Sequence, residues 1–157
     1  MIWIGFRRDP TTARGIASDP DLLDELIETE DDDARLDLDK AWHGVHWVLT
    51  GSSEETADPA GAAILGGEPV GEDLGYGPAR VLEVDRVRAV AGVLGGLDLD
   101  TLAAQVDPPR MREAEVYPDI WDEPAIYAEY LRPALEELVE FYAAAAEAHE
   151  AVIQVIV

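Results

Sequence analysis

Apolar positions fall along this chain in three kinds of pattern, and each predicts a different element. The first is the short continuous run. Met1-Ile-Trp-Ile-Gly-Phe6 is rich in strand formers and predicts a buried strand ended by Arg7, Arg8 and Asp9-Pro10. Ala151-Val-Ile-Gln-Val-Ile-Val157 is nearly continuous and β-branched, as expected of a strand buried on both faces. Both ends are therefore expected in one sheet. The second pattern is helical. Leu22, Leu23, Leu26 and Ile27 give one apolar face to a helix opened by Ser18-Asp19-Pro20. The acidic residues 28–33 then read as a loop or a frayed helix end. On a wheel of roughly 100° per residue, Leu38, Trp42, Val45 and Leu49 form one stripe, predicting a helix over 38–51 stopped by Gly51. Trp47 falls on its far side, so either that side is also covered or an indole faces water. Gly44 costs such a helix about 1 kcal/mol relative to Ala and marks a close contact.

Further helices are expected over 85–94, closed by Gly95-Gly96, over 98–106, and from Asp107-Pro108 through Met111 and Arg112. Tyr117-Pro118 marks a turn. Asp122-Glu123-Pro124 opens the longest helix, reaching about His149, with Leu131, Leu135, Leu138, Tyr142 and Ala145 on one face. Pro133 must kink or split it, because proline lacks an N–H and clashes with the preceding turn. The third pattern is punctuation. Glycines and prolines crowd residues 51–79, predicting a long functional or mobile loop with one helical turn near 62–65, followed by a short strand at Arg80-Val81-Leu82. The sum is a single α+β domain over 1–157: a small mixed or antiparallel sheet holding both terminal strands, covered by a layer of helices.

Composition narrows the function more than the fold. Among 157 residues, 34 are acidic and 11 are Lys or Arg, a net charge of −23. Nucleic acid is excluded as a broad target, because neutralising phosphates needs clustered cations. No apolar run approaches the roughly 20 residues of a spanning helix, so no membrane partner is expected. The start shows no charged-then-apolar secretory leader, and a cytoplasmic location is expected. Without cysteine there is no disulfide, thiol nucleophile or thiolate metal site. The charge is uneven. Residues 19–33 hold nine acids and no base, and residues 113–150 hold eleven acids against Arg132 alone. The first 16 residues carry a net +2.

Three stretches resemble a known family. Asp39-Lys40-Ala-Trp42-His43-Gly-Val-His46-Trp47-Val-Leu49-Thr50-Gly51 is similar to the signature of the YfbM-like bacterial proteins, small intracellular α+β proteins forming a domain of unknown function. Gly75-Tyr76-Gly77-Pro78-Ala79-Arg80 and Glu115-Val-Tyr117-Pro118 resemble further stretches of it. The likeness spans most of the chain. It implies the fold, the size and a cytoplasmic location. It implies no reaction, so no catalytic residue is carried over.

The residues themselves offer two constellations. Asp39, His43 and His46, at i, i+4 and i+7 of the expected 38–51 helix, would share one edge and suit an acid–base set or a divalent ion. Against a metal, the helical His-Glu-x-x-His signature is missing, and three residues at that spacing span more than one turn. The structural alternative is a half-buried, hydrogen-bonded His46 with His43 at the surface. The second constellation is Gly75 to Arg80, where glycines admit a ligand and Arg80 offers a fork for carboxylate or phosphate. It lacks the Lys and Ser/Thr of a phosphate loop, and its alternative is a turn with Arg80 in an ion pair. Trp47 and Trp121 are the aromatics to watch for a pocket or contact. No G-x-S-x-G elbow occurs, and neither a metal nor a cofactor is expected.

Two functional readings follow. One is a non-enzymatic interaction module whose acidic faces meet a basic protein partner, for example a toxin, or mimic a nucleic acid. The other is a small-molecule binder or enzyme, its site between the 38–51 helix and the glycine-rich 66–80 loop, drawing on Asp39, His43, His46, Trp47, Tyr76 and Arg80. In the second reading His46 and Arg80 converge on one pocket. A homo-oligomer with outward acidic faces is a third option. Whether there is an activity is left open by the residues.

Overall fold

The terminal strands meet in the middle of the molecule. In the computed structural model, which describes residues 1–30 and 32–157, β1 (Trp3–Arg8) pairs antiparallel with β5 (Ala151–Ile156), Trp3 opposite Ile156 and Arg8 opposite Ala151. The five strands run in the order β2-β1-β5-β4-β3, every pairing antiparallel, with β2 at Arg35–Asp39, β3 at Glu68–Asp73 and β4 at Pro78–Leu82. The period of two sorts side chains between the faces. Ile4, Phe6, Ala79, Val81, Ile153 and Val155 point one way, and Trp3, Leu36, Leu38, Leu82 and Val152 the other. Both faces are covered, so the expected single helical layer becomes two. Helices α1 (Pro10–Ala17) and α2 (Pro20–Glu28) lie on the first face through Ala13, Ala17, Leu23 and Leu26. The second face carries α3 (Trp42–Thr50), α4 (Pro59–Leu65), α5 (Val84–Gly95), α6 (Pro108–Glu113) and α7 (Arg132–Glu147).

Local chemistry explains most boundaries. Asp19 caps α2, its carboxylate accepting from the N–H groups of Asp21 and Leu22, with Pro20 in the first turn. Asp58 and Asp107 do the same for α4 and α6. Asp9 caps α1, a helix where a strand end is expected. The strand before it runs through both arginines, because Arg7 pairs with Glu150 at 3.1 Å and Arg8 with Asp32 at 2.5 Å. Residues 29–30 and 32–34 lie outside helix and strand as expected, and Asp31 lies outside the described residues.

Two expectations change, and the split of the last helix is met. The 38–51 helix begins only at Trp42, because Arg35-Leu-Asp-Leu-Asp39 alternates inward leucines with outward polar residues and adds a strand beside β1. Asp39, at a φ of 46°, turns the chain out of that strand. The long 51–79 loop contains α4 and the edge strand β3. The last helix splits in two, as Pro133 demands. Residues Ile126–Leu131 form one π-helical segment, and α7 then starts with Pro133 in its first turn. Residues Thr101–Gln105 form a 3₁₀ turn. Among the described residues, no helix is long and apolar enough to cross a membrane.

Candidate functional site

The two histidines of α3 hold the chain that follows them. His43 Nε2 lies 2.9 Å from the Ser53 carbonyl, and His46 Nε2 lies 2.8 Å from the Glu54 carbonyl. A carbonyl only accepts, so each Nε2 carries the proton. His43 Nδ1 accepts the Tyr117 N–H at 3.0 Å, which makes that ring neutral. Trp42 stacks on the His43 ring at 4.5 Å between centroids. His46 is fully buried, and its Nδ1 meets no donor among the described residues. Burial is the main cause that lowers both imidazoles below their ordinary 6.5, with the carbonyl contacts opposing it.

Because the unfolded chain binds protons that these folded imidazoles refuse, stability is full above pH 6.5 and falls as the pH drops below it. Urea midpoints taken at pH 7.5 and 5.5 should therefore decrease on acidification. The His43→Gln/His46→Gln double variant should show a flatter pH dependence, and equal slopes would refute this assignment.

Arg80 completes the grip on the same segment. From β4, it pairs with the Glu55 carboxylate at 3.0 Å and donates to the carbonyls of Leu65 and Gly67. Three successive residues, Ser53, Glu54 and Glu55, are thus held by His43, His46 and Arg80. The first two grips are through backbone and the third through a side chain. Tyr76 sits apart, 58% exposed on the β3–β4 turn. Its flanking glycines serve the turn itself: Gly75 and Gly77 adopt φ of 107° and 101° while donating to Asp73 Oδ1. Tyr76 and Arg80 share only a small cavity of about 70 Å³ with Trp3 and Gln154. Asp39 is exposed at the end of β2 and leaves the helical edge where the sequence pattern put it. Trp47 is buried on the covered far side of α3, donating to the Gln105 carbonyl at 3.0 Å beneath the Arg110 guanidinium. Trp121 is also buried, donating to the Val116 carbonyl. Among the described residues, no three His, Asp or Glu side chains gather as a metal ion requires.

The most connected polar group is one that residue patterns did not single out. A helix leaves its last four carbonyls without backbone partners. At the end of α4 all four meet side chains, and Ala62 O also accepts the Gly66 N–H at 3.2 Å. Gln154 donates to Ala62 O, Tyr142 to Ala63 O, Trp3 to Ile64 O and Arg80 to Leu65 O, at 2.8–3.2 Å. Gln154 also donates to the Tyr142 hydroxyl. Burial drives the Tyr142 phenol far above its ordinary value, so it stays a neutral donor. The sequence signal was the lone Gln inside an otherwise apolar terminal strand.

Concave surfaces lie elsewhere. A cleft of about 490 Å³ opens between Glu55–Ala57, Gly66–Glu68 and the start of α5 at Arg86. Its carboxylates are largely spent, Glu55 on Arg80 and Glu68 and Glu83 on Arg14. A second groove, of about 450 Å³, runs along the π-helical segment, from Ile120 to Tyr130.

The charge disposition is one-sided. Ten of the eleven cations are arginine, and among the described residues eight of these are held in ion pairs. On α2, Asp21, Asp24, Glu25 and Glu28 are exposed beside Leu22.

Comparison with known proteins places this architecture. The YfbM protein of Escherichia coli (strain K12) is 32% identical over 102 residues, a match covering 63% of this chain and 60% of that protein. The match thus spans less than two thirds of that relative's length. A crystal structure described as a protein of unknown function, YfbM from Escherichia coli, superposes over 100% of both chains with a TM-score of 0.77 at 24% identity, and so shares the fold. The model of the domain of unknown function DUF1877 matches residues 1–155, and the chain belongs to that family.

Proposed function

We propose that this protein is a non-enzymatic binding module that docks the basic surface of another protein. The observation that carries the reading is the disposition of charge. Eight of the ten arginines are paired within the fold among the described residues, whereas the carboxylates of α2 and most of those in residues 113–150 face outward, and the net charge of −23 is left for a partner to meet. Such a field speeds encounter with a cationic surface and weakens as salt screens it. A small-molecule site using His46 and Arg80 together has less in its favour, since both side chains are committed to the 53–55 segment and to α4.

The test is binding of a lysine-rich peptide without apolar residues, followed by fluorescence anisotropy as salt is raised. Binding should be strongest at low ionic strength and should weaken steadily. Neutralising α2 with Asp21→Asn, Asp24→Asn, Glu25→Gln and Glu28→Gln should reduce both affinity and salt dependence. No binding at the lowest ionic strength would overturn the proposal.

A further inference from the structure

The groove over the π-helical segment combines three features. It is concave, with a volume of about 450 Å³, within the range of roughly 300–1,000 Å³ typical of ligand pockets. Its lining is largely apolar. Ile120 is 39% exposed at one side, and Pro124, Ala125 and Ile126 follow. Ile120 is outward for a structural reason: the next residue, Trp121, turns inward and packs where a Cβ on Gly44 would sit. The groove also lies on a rare backbone. Residues Ile126–Leu131 make the wide π-helical turn, with no side-chain cap at Ala125, and such turns recur at functional sites.

Its rim then selects the occupant. Glu123 and Glu129 border the apolar floor. The arginines on either side in the chain are engaged elsewhere, Arg112 with Asp119 and Asp122, and Arg132 with Asp100 and Glu136. An apolar floor between carboxylates is complementary to an apolar side chain flanked by cations.

We infer that this groove is the seat for a segment of a basic partner protein, in which aliphatic side chains fill the groove and neighbouring Lys or Arg residues meet Glu123 and Glu129. The inference rests on the reading of the protein as a module for basic partners and gives that reading a location and a sequence preference. Attraction by charge brings the partner in, and burial of the apolar residues against Ile120 and Ile126 selects it. Charged rim contacts chiefly affect association rate and salt dependence, whereas the filled apolar centre governs dissociation.

Two labelled peptides test it against the full chain. One is lysine-rich with two leucines a helical turn apart. The other has both leucines replaced by serine. The leucine peptide should bind at least about tenfold more tightly, a difference of about 1.4 kcal/mol. Ile120→Asp should abolish that difference, and Glu123→Gln with Glu129→Gln should weaken both peptides. Ile120 is exposed, so its substitution leaves the core intact, which circular dichroism checks. Equal binding of the two peptides, or a leucine preference that survives Ile120→Asp, overturns the groove while leaving the acidic-surface reading standing. Binding of neither peptide removes both. A native mass that falls from dimer to monomer on Ile120→Asp assigns the groove to a second copy of this chain and also overturns the proposal.

Discussion

Truncating Trp121 to alanine should lower the unfolding free energy by about 3–5 kcal/mol, as expected for a buried indole. The side chain is 1% exposed, and its ring closes the space between α3 and the π-helical segment. The same contact makes Gly44 informative. In an isolated helix, Gly→Ala stabilises by about 1 kcal/mol. Here a Cβ on residue 44 would sit 2.4 Å from Trp121 Cη2 and 2.8 Å from Leu131 Cδ2. Both atoms belong to buried side chains, so Gly44→Ala should instead destabilise, by about 1–3 kcal/mol of overpacking. Placed in the Trp121→Ala background, the same substitution should be markedly less destabilising, because the ring it strikes is gone and Leu131, the remaining close contact, has vacated space to move into. Urea denaturation of the four proteins in a double-mutant cycle reads this coupling directly. Additive effects would show that the ring does not enforce the glycine.

The second large effect belongs to the cap on α4. Tyr142→Ala should cost about 3–5 kcal/mol from the buried ring alone, and more because the Ala63 carbonyl and one Gln154 N–H lose their partner. Tyr142→Phe separates the two contributions. It keeps the ring and removes only the hydroxyl, leaving buried groups unpaired at a cost of about 1–3 kcal/mol. Amide exchange should quicken at the end of α4 in the Phe variant. A Phe variant as stable as the parent, with unchanged exchange, would show that water replaces the hydroxyl at no cost. Gln154→Leu should be milder than its burial suggests. The change also removes Gln154 Oε1, a buried acceptor without a donor among the described residues.

Much of the architecture followed from short-range rules. The terminal strands, the Asp-Pro helix starts at 19–20 and 107–108, and the split at Pro133 each depend on one or two residues acting on their own backbone. The close contact at Gly44 was visible because an exposed helix gives no reason for a glycine there. Two elements misled. Leu38 fits both a helical stripe with Trp42 and Val45 and a strand alternation with Leu36. Pairing of β2 with β1 resolved that ambiguity, and it is a contact between residues over thirty positions apart, such as Ile4 and Asp37. Edge strand β3 reads Glu-Pro-Val-Gly-Glu-Asp and is mostly exposed, so it carries almost no burial pattern to recognise. Its existence depends on backbone bonds to β4, which leave little trace in the side-chain pattern of an exposed edge strand.

The candidate residues divide on the same line. Composition alone established a strongly acidic chain with no thiol chemistry, because charge and cysteine counts need no geometry. The roles of individual side chains came only from tertiary structure. His43 and His46 looked like a chemical pair by spacing, yet the Nε2 of each is taken by a carbonyl of the following loop. Asp39 was drawn into that set by a helical register that a strand replaced. Arg80 was open to an anion or to an ion pair, and it is occupied by Glu55 and the end of α4. Periodicity reports which face of an element is apolar. It cannot report which distant carbonyl or carboxylate a polar side chain will meet, since that is fixed by the packing of elements remote in the chain.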